Sequence, residues 1–150
     1  MDIIEQLNEM DIDWNDVPKP GGAYTTVNVR GNIAYVSIQF PVKKGKFLFT
    51  GRLGQELTTE DGYKAAQLCA INVLKQLNKH LGFDRIVGMN HADIYYQAAG
   101  DWDEGRIAAD GASAPRPRGS HHRGRSQVHP ARGLAGAGQG LWSGVSGRVH

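Results

Sequence analysis

Residues 22–41 read GAYTTVNVRGNIAYVSIQFP, and this stretch decides the fold class. β-Branched residues at 25, 26, 27 and 29 predict a strand over residues 25–30. Gly31-Asn32 is a tight-turn pair, so a second strand follows over residues 33–40. Strict alternation sets Ala34, Val36, Ile38 and Phe40 on one face, with Ile33, Tyr35, Ser37 and Gln39 on the other. Pro41 stops this strand, Lys43-Lys44-Gly45-Lys46 turns, and Phe47-Leu48-Phe49 returns as a third strand. The pattern predicts an antiparallel β-meander with one apolar face and one mixed face.

Helical periodicity flanks the meander on both sides. Ile3, Ile4, Leu7 and Met10 form the apolar stripe of a short helix over residues 2–10, ended by the stiff loop of residues 16–22. After the meander comes the clearest helix, with Thr58 as N-cap, Glu60 and Asp61 in the positive first turn, and Gly82 after its end. Its predicted buried stripe is Ala66, Ala70, Val73, Leu74, Leu77 and Leu81, with Lys64, Lys75 and Lys79 outside it. Gly62 in the first turn costs about 1 kcal/mol against alanine. Residues 85–97 read as a longer strand, and Asp101-Trp102-Asp103-Glu104-Gly105 as a polar loop. The expected class is α+β, an antiparallel sheet packed on helices.

The composition changes at about Gly111. Residues 1–110 carry 11 Lys+Arg against 15 Asp+Glu, whereas residues 111–150 carry six Arg and no acid. The last 40 residues also hold nine Gly, four His and three Pro, and no Ile, Phe, Tyr, Thr or Asn. Such a segment has little with which to bury a face or balance its charge. No helix or strand is predicted beyond residue 112, and the chain divides into a domain of residues 1–113 and a basic tail of residues 114–150. Two readings fit the tail: a GC-rich gene read in the wrong frame, or a natural disordered extension.

Several function classes are excluded or weakened. The chain lacks a P-loop, a Cys-x-x-Cys pair and a His-Glu-x-x-His helix. His121, His122 and His129 lie in the Arg-rich segment without a nearby carboxylate or thiolate, so no metal site is expected. Cys69, the single cysteine, sits in the helical pattern and reads as packing in a reducing, cytoplasmic setting. No stretch reaches the length of a membrane span, and the acidic N-terminus lacks the features of a signal peptide. Arg116, Arg118, Arg123 and Arg125 attract polyanions without specificity, and nucleic acid is not the expected partner. The acids at 101, 103 and 104 read as a solvated loop rather than a catalytic pair.

Gly22-Ala23-Tyr24 and the run from Gly31 to Pro41 resemble the Gly-x-Tyr … Gly-Asn-x-x-Tyr-Val-Ser-Gly-Gln-x-Pro signature of the YjgF/RidA imine deaminase family. The resemblance continues through Gly51-Arg52-Leu53-Gly54, Leu57-Thr58, Gly62-Tyr63, Ala65-Ala66 and Asn72-Val73-Leu74 to Asp110-Gly111-Ala112-Ser113. It implies a chorismate-mutase-like domain assembled as a trimeric barrel, with ligand clefts between subunits. It also implies hydrolysis of reactive 2-imino acids to 2-keto acids and ammonia, without a cofactor. A small imino or keto acid is thus the implied ligand; some relatives carry the label of endoribonuclease or translation initiation inhibitor, so an RNA-active, endoribonuclease-like protein is an alternative.

Matched residue by residue, Tyr24 and Ser37 line the family cleft, and Arg132 in Pro130-Ala131-Arg132 is the candidate for the arginine that grips the substrate carboxylate. Tyr24 also has a plain reading as the cap of a sheet edge, and Ser37 as a cross-strand pair. Ile38 stands where the family has glycine, and narrows the expected cleft. The family's water-positioning glutamate has no counterpart, because no acid follows Asp110. That absence favours weak turnover, or a non-catalytic ligand-binding trimer of the same fold.

Overall fold

The computed structural model describes residues 11–113, 125–130 and 141–149. Its centre is a five-stranded sheet in the order β1-β2-β7-β5-β6. The strands are β1 (Val27–Arg30), β2 (Ile33–Gln39), β5 (Ile86–Tyr96), β6 (Arg125–Pro130) and β7 (Leu141–Val149). Neighbours run antiparallel except β5 and β6, which are parallel. The helix expected over residues 2–10 lies outside the described residues.

Helix α1 (Thr59–His80) starts where the sequence places it. Thr58 and Asp61 form a capping box, in which the Thr58 hydroxyl accepts from the Asp61 N–H and the Asp61 carboxylate accepts from the Thr58 N–H. The helix lies on the sheet, where Val73 and Leu77 meet Val27, Ala34 and Val36. Burying each of the valine and leucine side chains stabilises the fold by about 1.5–3 kcal/mol. A second core forms near the start of α1 from Leu53, Ala65, Ala66 and Ala108, the last from the short helix α2 (Gly105–Asp110). The outcome is α+β, with a largely antiparallel sheet packed against helices.

Four expectations are corrected. Alternation along β2 breaks after Val36, because three steps on β2 answer two on β7, so that Val36 pairs with Val145 and Gln39 with Ser143. This bulge shifts the phase by one residue. Gln39 is therefore buried, while Ile38 and Phe40 are only partly so. The predicted third strand is reduced to a small hairpin of β3 (Val42–Lys43) and β4 (Lys46–Phe47), outside the main sheet. The place beside β2 belongs to β7.

Lys75, read as outward-facing, is buried at 4% exposure, together with Asn72 and Gln76, while Ala70, Leu74 and Leu81 are only partly buried. Finally, residues 125–130 and 141–149 are strands of the main sheet, although their composition predicts none. Ladder pairing is a backbone property, so residues of poor strand propensity still pair where a neighbouring strand presents an open edge.

Candidate functional site

Two of the sequence-predicted site residues, Tyr24 and Ser37, lie at the same end of the β1–β2 pair. Tyr24 precedes β1 in a loop where its hydroxyl accepts the Gly21 N–H at 3.0 Å, and the residue is 45% exposed. Ser37 sits in the β2 bulge, and its N–H donates to the Thr26 carbonyl at 2.8 Å. That bond registers Ser37 against a residue two positions after Tyr24. The Ser37 hydroxyl is buried without a hydrogen-bond partner among the described residues. Bulges commonly re-aim side chains beside ligand sites, and this one displaces the Ser37-Ile38 pair from regular alternation. Arg132 lies outside the described residues; β6 ends at Pro130, paired with Tyr96.

Beneath this end of the pair lies a buried polar cluster that the helical pattern conceals. Asn72 donates from Nδ2 to the carbonyls of Phe40 and Val42, at 2.9 Å each. Lys75 Nζ donates to the Asp16 carbonyl at 2.9 Å and stands 3.7 Å from the Asp16 carboxylate. Asp16 Oδ2 also accepts the Lys44 N–H at 2.9 Å. Gln76 Nε2 donates to the Pro18 carbonyl at 2.7 Å. Burial pulls the Lys75 ammonium below the usual lysine range, and the Asp16 charge opposes that shift. The available signal was the spacing of Asn72, Lys75 and Gln76, a polar stripe at helical intervals that usually faces water.

A cleft of about 460 Å³ opens between the start of α1 and the loop of residues 101–104. The indole N–H of Trp102 donates to Thr59 Oγ1 at 3.1 Å, and the Thr59 hydroxyl donates to the Glu104 carboxylate. Asp101 and Asp103 are exposed at its rim. On β5, His91 Nε2 lies 2.9 Å from Asp93 Oδ1, in alternation with the buried Ala92 and Ile94. Among the described residues there is no cluster of His, Cys, Asp or Glu able to hold a metal ion, and no helix long and apolar enough to cross a membrane.

No protein-family profile matches the chain. It is 28% identical over 112 residues to Protein TCP17 of Trypanosoma cruzi, spanning 74% of this chain and 70% of that protein. Among solved structures, a candidate endoribonuclease from Shewanella oneidensis is similar at a TM-score of 0.88 and 23% identity, covering 99% of both chains. An Agrobacterium tumefaciens protein of unknown function matches at 0.82 and 23% identity, covering 99% of this chain and 92% of its own. RidA from an Antarctic Psychrobacter matches at 0.59 and 12% identity, covering 89% and 94%. The chain has the YjgF/RidA fold.

Proposed function

We propose that this protein is a RidA-type small-molecule protein whose ligand is a 2-imino acid or the matching 2-keto acid. The observation that supports the reading best is the YjgF/RidA fold, on which the Ser37 N–H is bonded to Thr26, two residues after Tyr24, so that both motif residues belong to the same end of the β1–β2 pair. A tyrosine and a serine supply hydrogen bonds to a small polar substrate, and Arg132 is the candidate for its carboxylate. Hydrolysis of the imine releases ammonia and leaves the keto acid. It needs a water held for attack, and no carboxylate follows Asp110 to hold one. Slow turnover is therefore part of the proposal, and no cofactor takes part in it.

The working assembly in this reading is a cytoplasmic homotrimer, as the family resemblance implies, with the exposed Tyr35 of β2 as a candidate subunit contact. Light scattering on the pure chain measures that directly.

The activity test couples an amino-acid oxidase, which generates 2-imino acids from alanine or 2-aminobutyrate, to detection of the semicarbazone. The expected result is weak acceleration of imine loss, reduced further in Tyr24→Phe, Ser37→Ala and Arg132→Ala. Turnover untouched by all three changes would remove this site from the protein. A second reading, binding without turnover, is favoured by the same lack of an acid after Asp110. Pyruvate that binds, with imine loss equal to the buffer rate, would select it.

A further inference from the structure

We infer that Gln76 and Gln39 form a buried amide relay that sets the Tyr24-bearing loop against the Ser37 bulge, making both positioning residues for the site. The inference rests on reading Tyr24 and Ser37 as the ligand-facing pair. Gln76 is 2% exposed and Gln39 5%. A buried amide without partners is costly, so where its protons go is informative. Gln76 Nε2 has two protons and meets two acceptors, the Pro18 carbonyl at 2.7 Å and Gln39 Oε1 at 3.4 Å. Gln39 Nε2 likewise meets two, the carbonyls of Ser37 and Ile38, both at 3.1 Å.

The order of contacts is therefore continuous. It runs from the loop at Pro18, through α1 at Gln76 and β2 at Gln39, to the bulge carbonyls. The carbonyl ends fix both amides, because flipping either would set oxygen against oxygen. The relay also explains how the bulge is tolerated. Ser37 and Ile38 fall between the last regular pairs with β7, and the side chain of Gln39 takes up their carbonyls. Gln39 reaches this place only because the bulge turned it inward. Lys75 anchors the same loop two residues earlier, at Asp16, and among the described residues it makes no hydrogen bond to the bulge. It thus serves as an internal control.

Hydrogen–deuterium exchange on the full chain reads the relay without any ligand. Gln76→Leu is expected to raise exchange about tenfold in peptides covering residues 16–24 and 36–40 together, while Lys75→Met raises it only in the first. Faster exchange in 16–24 with 36–40 at the wild-type rate would overturn the relay.

Should Gln76→Leu fail to fold, Gln76→Glu reads the same contact. Its protonated carboxyl can donate to the Pro18 carbonyl, whereas its carboxylate faces two acceptors. Protection of both peptides, corrected for intrinsic rates, should fall as pH rises through the carboxyl titration, and equal protection across that range overturns the proposal. Pyruvate binding then tests the site. If wild type binds it, Gln76→Leu should weaken binding about tenfold at unchanged fold content, and unchanged affinity counts against a positioning role. If wild type does not bind it, the proposed ligand class fails and the exchange result still decides the relay.

Discussion

Gly62 shows how one residue is misjudged by propensity alone. As a helix-interior glycine it carries a cost of about 1 kcal/mol. In the fold it is buried, and a Cβ there would stand 2.7 Å from Leu53 Cδ2 and 3.0 Å from the Ala108 Cβ. Propensity favours Gly62→Ala by up to about 1 kcal/mol, while forcing a methyl into a filled core costs about 1–3 kcal/mol. The packing cost should win, and urea unfolding is expected to show a lower midpoint at unchanged slope. Lys75 carries the second residue-scale prediction. Its folded pKa lies below the ordinary 10.5, so between those two values the unfolded chain holds more protons. Its contribution to stability therefore rises with pH through that alkaline window and levels off above 10.5. Thermal melts across the window should show a steeper rise for wild type than for Lys75→Met. The burial of Lys75 was not legible in the sequence, because a lysine beside an apolar stripe reads as solvent-facing until the loop bearing Asp16 is known to cover it.

At the scale of elements, legibility followed local signals. Helix α1 was readable because cap, first-turn acids, stripe and terminal Gly82 all agree. Thr58→Ala should cost about 1 kcal/mol, as loss of an N-cap does. Hydrogen bonds from the Thr58 N–H and hydroxyl hold the Asp61 carboxyl below its ordinary 3.8. The stability this lends is present above that value and is lost as pH falls through the lower folded pKa. The acid limb of the melting curve should thus be shallower in Asp61→Asn, and an unaltered limb would show that the box adds nothing to acid stability. β2 was readable only as far as Val36, since a bulge is fixed by the partner strand and leaves no periodic trace in its own. The same cause hid Gln39, and with it the link to Gln76. Tyr24 and Ser37 could be named from the motif, but their placement at one end of the β1–β2 pair depends on the register, which sets Ser37 against Thr26.

For the molecule as a whole, β7 matters most and was least legible. It carries Gly144 and Gly147 within Leu141–Val149, and its strand-favouring residues are only Trp142, Val145 and Val149, so its composition marks a strand weakly. Yet it stands between β2 and β5, and without it the sheet divides into a β1–β2 pair and a strand β5 with no partner inside residues 11–113. A chain ending at Ser113 should therefore lose more than a tail. The ladder groups of β2 and β5 that face β7 would open to water or to other chains, and two-stranded pairs are marginal alone. The expected product keeps much of its α1 circular dichroism, melts without a cooperative transition, binds a hydrophobic dye and associates as concentration rises. A truncated chain that melts cooperatively at the full-length temperature would show that residues 1–113 are a self-sufficient domain and that 114–150 are an appendage. The two outcomes separate a sheet that needs its last strand from one that merely accommodates it.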